Sequence, residues 1–234
     1  MIRTYNEYHL GDQLIHLNYL RRLGLPATHY CKAEYHKQLQ PLVLGTDIVL
    51  MDLPAKPEDA VNAWIGSNNY FYNHPMKEHW VEFHLDWFKH LSNTLGVPIV
   101  MVSQDDFLFD YPALMAIQAE QYDYLIINSP PKSNQLPSFN QEVFKKMAQE
   151  LLDQGHTVIS TYPLQICPNT LEKGLDVTQI GILSKAVQHI IAVDTGPLWT
   201  TYNVHNKDKV LSRTVYHKFM KTGMLNTDYR KELI

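Results

Sequence analysis

The apolar positions of the chain fall into short runs and helical stripes that alternate, and the alternation is cleanest in the second half. Residues 124–128 (YLIIN) form a short apolar run stopped by Ser129, Pro130 and Pro131, with the length and punctuation of a buried strand. A loop rich in Lys, Ser, Asn, Gln and Pro follows. Ser138 stands three residues before Gln141, the spacing of a capping box. Phe139, Val143, Phe144, Met147, Leu151 and Leu152 then recur at helical spacing until Gly155. Residues 157–160 (TVIS) read as the next strand and Asp176 with Gln179 as another cap. Ile180, Leu183 and Val187 give a helical stripe, and residues 189–193 (HIIAV) a third strand. Strand and helix in short alternation predict a parallel sheet with right-handed crossovers.

The first half repeats this pattern more loosely. Residues 2–5 read as a strand, and Leu14, Ile15, Tyr19 and Leu23 as a helix that Gly24 ends. Residues 28–33 and 47–53 (DIVLMDL) read as further strands. Between residues 77 and 95, Trp80, Phe83, Trp87, Phe88, Leu91 and Leu95 form an aromatic stripe at helical spacing, closed by Gly96 and Pro98. Such a stripe is expected in the core, covering one face of a parallel sheet that needs both faces buried. Pro112 and the short helical stretch at 113–120 (ALMAIQAE) separate the two patterns. The expected fold is α/β, two Rossmann-like lobes with parallel sheets facing a central cleft, residues 1–118 and 119–234, the cleft being the usual place for a small-molecule site.

Composition narrows the function classes. The 234 residues are 45% apolar, enough for one large domain or two small ones with real cores, and the formal net charge of -4 gives no footprint for nucleic-acid phosphates. Arg3, Glu7 and His9 interrupt the apolar residues at the N-terminus, and no later run approaches membrane-spanning length, so a cytoplasmic protein is expected. Cys31 and Cys167 are the only cysteines and lie far apart, the pattern of reduced buried thiols. Among the histidines, His74, His79, His84 and His90 are densest, but His79 and His84 are five residues apart, a poor spacing for two helical ligands on one metal. They are expected at the surface or partly buried. Asp105 and Asp106 are adjacent, so on a strand they would point to opposite faces and could not act as a metal-binding pair. No metal and no cofactor are expected.

Two short segments place small or acidic residues where a strand hands over to a helix. In the first, Gly11 would let the chain turn tightly toward a ligand, while Asp12, at the helix start, either caps backbone N–H groups or presents a carboxylate. The second is Asp194-Thr195-Gly196-Pro197 after the strand ending at Val193. A helix beginning near Pro197 would aim free N–H groups at an anion such as a diphosphate; equally, all four residues are ordinary choices for a plain strand-to-helix turn. Walker, Gly-x-Gly-x-x-Gly and Gly-x-Ser-x-Gly patterns are absent.

The combination and order of these motifs resemble the heptosyltransferase-like glycosyltransferases of family 9, which have the GT-B fold. A Gly-Asp enters a helix containing Leu20-Arg21-Arg22-Leu23, and Asp-Thr-Gly-Pro follows a strand near the C-terminus. Between them stand Asn128-Ser129-Pro130, Leu136-Pro137 and Gly155-His156-Thr157-Val158. The resemblance implies Asp12 as catalytic base and a donor diphosphate held at residues 194–196. It implies Gly11, Lys132, Ser133, Asp194, Thr195, Gly196 and Pro197 as donor-binding residues, Lys132 and Ser133 neutralising charge as the nucleoside diphosphate leaves. The substrates implied are a nucleotide-sugar donor and a glycan or other hydroxyl acceptor, with no metal. One departure is local: the family pattern has a histidine in a small-residue helix soon after this Pro, where Trp199, Thr200, Thr201 and Tyr202 stand here. The alternatives on the same scaffold are a sugar-nucleotide epimerase or hydrolase, and a non-catalytic nucleotide-binding module.

Overall fold

A computed structural model describes residues 1–67, 70–74, 79–118, 120–132, 139–207, 210, 212–216 and 229–231, with backbone alone for residues 71–72 and 229–231. The chain divides into two compact units, Met1–Pro112 and Ala113–Ile234.

In the first unit, β1 (Ile2–Tyr5) leads into α1 (Leu10–Leu23), then β2 (Ala27–Cys31), α2 (Ala33–Val43), β3 (Ile48–Asp52) and the short β4 (Val61–Asn62). The four strands are parallel in the order β3-β2-β1-β4. Helix α1 stops as expected at Gly24, left-handed at φ 63°, whose N–H reaches the carbonyls of Leu20 and Arg21. The aromatic stripe forms α4 (Trp80–Leu95), with Trp80, Phe83, Trp87, Phe88 and Leu91 buried. It docks on α1 through Tyr19, which stacks on Phe88 at 4.7 Å and pairs its hydroxyl with Ser92 Oγ at 2.8 Å. It meets the end of β4 through Trp87 Nε1, which donates to the Ala63 carbonyl. A third short helix, α3 (Tyr70–Asn73), lies between β4 and α4 in sequence.

The second unit contains β5 (Tyr122–Ile127), α6 (Gln141–Asp153), β6 (Val158–Ser160), α7 (Val177–Leu183), β7 (Val187–Val193), α8 (Gly196–Trp199), β8 (Ser212–Tyr216) and β9 (Tyr229–Lys231). Its five strands are also parallel, in the order β6-β5-β7-β8-β9. The apolar side of α6 packs on the sheet through Phe144 and Ala148, against Ile126, Val158 and Val193. Asp176 and Gln179 form the expected reciprocal cap of α7.

Several expectations change. Val187 opens β7 rather than continuing the α7 stripe. Asn140 caps α6 by accepting from the Glu142 N–H, and Ser138 lies outside the described residues. Among its described residues, the stretch from 113 supplies a single 3-10 turn, Pro112–Met115. Asp105 and Asp106 sit not on a strand but in a one-turn helix, α5 (Gln104–Phe107), where Asp106 accepts from the Ser103 hydroxyl and backbone N–H. The hydroxyl bond chiefly holds its carboxyl below the usual carboxylate range, so Asp106 is committed to the cap. His84 is buried rather than superficial, and burial pulls its imidazole down to about 3.

Candidate functional site

In an open parallel sheet, ligands gather beyond the carboxyl ends of the strands where the strand order reverses. Each unit has one such point. In the first, the chain runs outward from β1 through β2 to β3 and returns to β4 on the other side of β1. In the second, it runs from β5 to β6, then crosses to β7 on the opposite flank of β5.

The reversal in the first unit is built by the turn after β1. Tyr8 N–H donates to Asn6 Oδ1 at 2.9 Å, and the Tyr8 ring stacks on Trp64, two residues past β4, with centroids 3.8 Å apart. The β4 side is fixed in turn, since Ala63 N–H donates to the Tyr5 carbonyl and Trp64 N–H to Asn62 Oδ1. Gly66 lies beside them, and a Cβ there would fall 2.3 Å from the Trp64 ring, so any side chain would force the ring to shift. Helix α1 begins at this edge, and its cap is His9, so Asp12 is not the cap. Asp12 is the third helical residue, in the first turn, and partly exposed. Gly11 precedes it inside the helix without a positive φ, so the expected tight turn at Gly11 is absent. The neighbouring arginines have a structural job: Arg21 bonds the carbonyls of Leu42 and Asp110, and Arg22 that of Leu108. They tie α1 to the end of α2 and to the segment after α5.

At the reversal of the second unit, Ile127 of β5 is in register with Ala192 of β7, so the chain leaves β5 at Asn128 beside Val193, the last residue of β7. Asn128 is fully buried. Its Oδ1 accepts from Tyr162 N–H and its Nδ2 donates to the Tyr162 carbonyl, while Thr161 Oγ1 accepts from its backbone N–H. Ser129 Oγ pairs with Thr161 Oγ1 at 3.0 Å, so the loops after β5 and β6 are one hydrogen-bonded unit. On the other flank, Asp194 is 7% exposed, and its N–H points to the Tyr216 carbonyl at the end of β8. Thr195 caps α8 with extended backbone, and Gly196, Pro197 and Thr195 are all partly exposed at the rim. The structure therefore brings Asp194, Thr195, Gly196 and Pro197 together with Asn128 and Ser129. Lys132 is exposed, in the loop beyond β5. Ser133 and the Leu136-Pro137 pair lie outside the described residues.

The residues that depart from the family pattern turn out to be core. Trp199, Thr200, Thr201 and Tyr202 are all buried. Thr200 Oγ1 donates to the Val177 carbonyl at 2.6 Å, and Thr201 carbonyl accepts from Arg213, whose guanidinium lies 4.2 Å from the Tyr202 ring. Asn203 and Asn206 both donate to Ser184 Oγ just after α7. This packing clamps α8 against α7 and β8. Sequence reasoning passed over Thr161 at the second reversal, and Tyr8 and Trp64 at the first. A strand ending in Asn-Ser was visible; the partner in the next strand's loop, 33 residues away, was not.

The described residues include no group of three or more His, Cys, Asp or Glu side chains placed to hold a metal ion, and no helix long and apolar enough to cross a membrane. Both cysteines are free; Cys31 is buried, and burial pushes its thiol up to about 12.

No protein-family model matches the chain, and no curated protein matches it by sequence. Solved structures do. The E. coli heptosyltransferase WaaC, described with ADP-2-deoxy-2-fluoro heptose, is 12% identical over 98% of this chain and 93% of its own, with a TM-score of 0.57. A family 9 glycosyltransferase from Veillonella parvula is 12% identical over 100% of this chain and 87% of its own, with a TM-score of 0.53. The glycosyltransferase TibC from enterotoxigenic E. coli, described as iron-containing and dodecameric, is 15% identical over 92% of this chain with a TM-score of 0.51, and this chain spans 58% of its length. The chain thus has the fold of the heptosyltransferases and family 9 glycosyltransferases, two Rossmann-like units of the GT-B kind.

Proposed function

We propose that the protein is a glycosyltransferase that moves a sugar from a nucleoside-diphosphate donor to an acceptor hydroxyl. The observation that carries this reading is the placement of Asp194-Thr195-Gly196-Pro197 beyond the end of β7, beside the end of β5, where the second sheet's strand order reverses. There the backbone amides of Thr195 and Gly196 meet the donor diphosphate, and Lys132 adds positive charge from the β5 loop. Helix α8 is a single turn, so the stabilisation comes from individual N–H groups rather than from a long helix dipole. Gly196 and Pro197 shape the approach of the backbone, Asp194 fixes the turn, and Gly11 leaves room beside the base.

Asp12, in the first unit, is the base. Its carboxylate takes the proton of the acceptor hydroxyl as that oxygen bonds to the anomeric carbon. The bond from the anomeric carbon to the diphosphate oxygen breaks, and the nucleoside diphosphate departs with the electron pair. The reaction so written needs no metal and no cofactor; full activity in chelator is expected. An ADP-linked heptose is the first donor to test, since WaaC and TibC are described with such molecules.

The experiment is a thermal-shift screen against nucleoside diphosphates and their sugars, followed by transfer assays on Asp12→Asn. A donor at a hundred times its dissociation constant stabilises the folded state by about 2.7 kcal/mol. No shift with any of them would overturn the donor site. Asp12→Asn should keep the shift and lose transfer by about 10²-fold or more; undiminished transfer removes Asp12 as base, and turnover of donor without an acceptor would favour a hydrolase or epimerase.

A further inference from the structure

The interior of the first unit holds a chain of buried polar side chains that the proposed reaction does not use directly. Thr4, in β1, is in register with His29 of β2, and both are fully buried, as are Gln13 and His16 of α1. Thr4 Oγ1 lies 2.9 Å from His16 Nε2 and 3.0 Å from His29 Nδ1. His29 Nε2 lies 2.7 Å from Gln13 Oε1, and Gln13 Nε2 donates to the Asn6 carbonyl at 2.8 Å.

One arrangement of protons satisfies every link. The Asn6 carbonyl can only accept, so Gln13 presents its NH2 there and its oxygen to His29. His29 must then carry its proton on Nε2, leaving Nδ1 to accept from the Thr4 hydroxyl. Thr4 Oγ1, having spent its proton, accepts from His16 Nε2–H. His16 Nδ1 is left bare, and it is buried with no hydrogen-bond partner among the described residues. Both imidazoles are neutral in this arrangement. Burial first, and a neighbouring imidazole second, hold His29 down at about 3 and His16 well below the ordinary histidine value.

The chain ends where the site begins. Asn6 and Gln13 bracket the turn that enters α1, Asn6 Oδ1 holds the Tyr8 N–H, and Gln13 is the residue after Asp12. We propose that the one-directional hydrogen-bond chain His16–Thr4–His29–Gln13–Asn6 sets the position of the β1–α1 turn, making Thr4, His29 and Gln13 positioning residues for Asp12. This rests on the reading of Asp12 as the acceptor's base. Hydroxyl, imidazole and amide each have one donor role and one acceptor role fixed by their neighbours, so loss of a single link leaves buried groups unpaired on both sides of the gap. The backbone of the turn relaxes to repair them, and Asp12 moves with it.

Three measurements on the full chain test this. Imidazole nitrogen NMR at neutral pH should show both His16 and His29 as Nε2–H tautomers; an Nδ1–H form or an imidazolium at either overturns the chain whatever the protein catalyses. Thr4→Val, which keeps the shape and removes both hydrogen-bonding roles, should lower kcat about 10²-fold with donor KM unchanged, the size expected of a misplaced reacting group. Thr4→Ser should restore most of that rate, and an undiminished kcat in Thr4→Val, or failure of serine to rescue, overturns the positioning role. Hydrogen exchange at the Tyr8 and Gln13 amides should quicken about tenfold or more in Thr4→Val relative to amides of β5. If the wild-type protein transfers sugar from no donor, the reading of Asp12 falls, and exchange alone decides the rest: an unchanged rate at Tyr8 and Gln13 overturns the positioning of the turn.

Discussion

The two units share a parallel-sheet plan but fill their interiors with different polar chemistry. In the first, the buried polar groups include three histidines, His16, His29 and His84. In the second, His156, His189 and His205 are only partly buried, and the fully enclosed polar groups are hydroxyls and amides such as Asn128, Thr161, Ser184, Thr200, Asn203 and Asn206. An amide or hydroxyl keeps its charge at every pH; an imidazole does not. The first unit therefore carries buried imidazoles, whereas the described buried polar groups of the second, Asp194 and Arg213 apart, are amides and hydroxyls that stay neutral.

Acidification should break the symmetry most strongly. His16, His29 and His84 stay neutral in the folded chain because burial lowers their affinity for a proton. In the unfolded chain each binds a proton below about pH 6.5. Their contribution is thus complete above that pH and falls as the pH drops toward the folded-state values, about 3 for His29 and His84. At pH 5.5 His29 and His84 each cost roughly 1.4 kcal/mol, about 3 kcal/mol together, and His16 acts in the same direction. Hydrogen exchange at pH 7.5 and 5.5, with intrinsic rates corrected for pH, should show β1 and β2 losing protection while β5 and β7 keep theirs. Equal losses in the two sheets would contradict the assignment of the effect to these imidazoles.

The converse perturbation belongs to the second unit. Asn128→Ala removes the side-chain bonds to both backbone groups of Tyr162. It should cost about 2–3 kcal/mol, because the Tyr162 N–H and carbonyl lose partners at a part-buried site. Unlike the histidine effect, this loss should be the same at pH 7.5 and 5.5, read from urea melts at each pH. A loss that grew with acidification would mean that an unrecognised titrating group backs Asn128.

The same contrast explains what was legible in the sequence. The Gly24 and Gly96 stops and the Asp176 cap are local signals, encoded within a few residues, and each lies where its pattern puts it. Helix α2 escaped because Pro41, inside its last turn, reads as a breaker; a proline late in a helix loses one hydrogen bond, a cost that the burial of Tyr35, Leu39, Leu42 and Val43 offsets. The turn at Asp194 was visible from its strand. The polar chain through Thr4, His16 and His29 was not, because its links join residues 12, 25 and 16 positions apart on three different elements, and no spacing rule marks them. Gly11 misled for the opposite reason: glycine beside a strand suggests a turn, but here the turn is finished by Asn6 and Tyr8 before the glycine arrives.

The smallest expected effect tests whether the units also differ in how their helices longer than one turn begin. The one-turn helices α5 and α8 run the other way, the first capped by Ser103 and the second without a side-chain cap. In the second unit, α6 and α7 start on side-chain caps, Asn140 and Asp176. In the first, α1, α2 and α4 start at His9, Lys32 and His79, none of which supplies a capping side-chain bond. Those helices are held instead by burial, as α1 is through Leu14, Leu17, Tyr19 and Leu20. Asp176 Oδ1 accepts from Gln179 N–H at 2.8 Å and from Thr178 Oγ1 at 2.6 Å, so Asp176→Ala should cost about 1 kcal/mol. Lys32 is exposed and already has the extended backbone of a cap, so Lys32→Ser should instead gain roughly 0.5 kcal/mol. Urea melts of both variants at pH 7.5 would read the two shifts, and opposite signs are required. A Lys32→Ser protein no more stable than its parent would mean that the start of α2 gains nothing from an added cap, because packing and solvent already satisfy its first N–H groups.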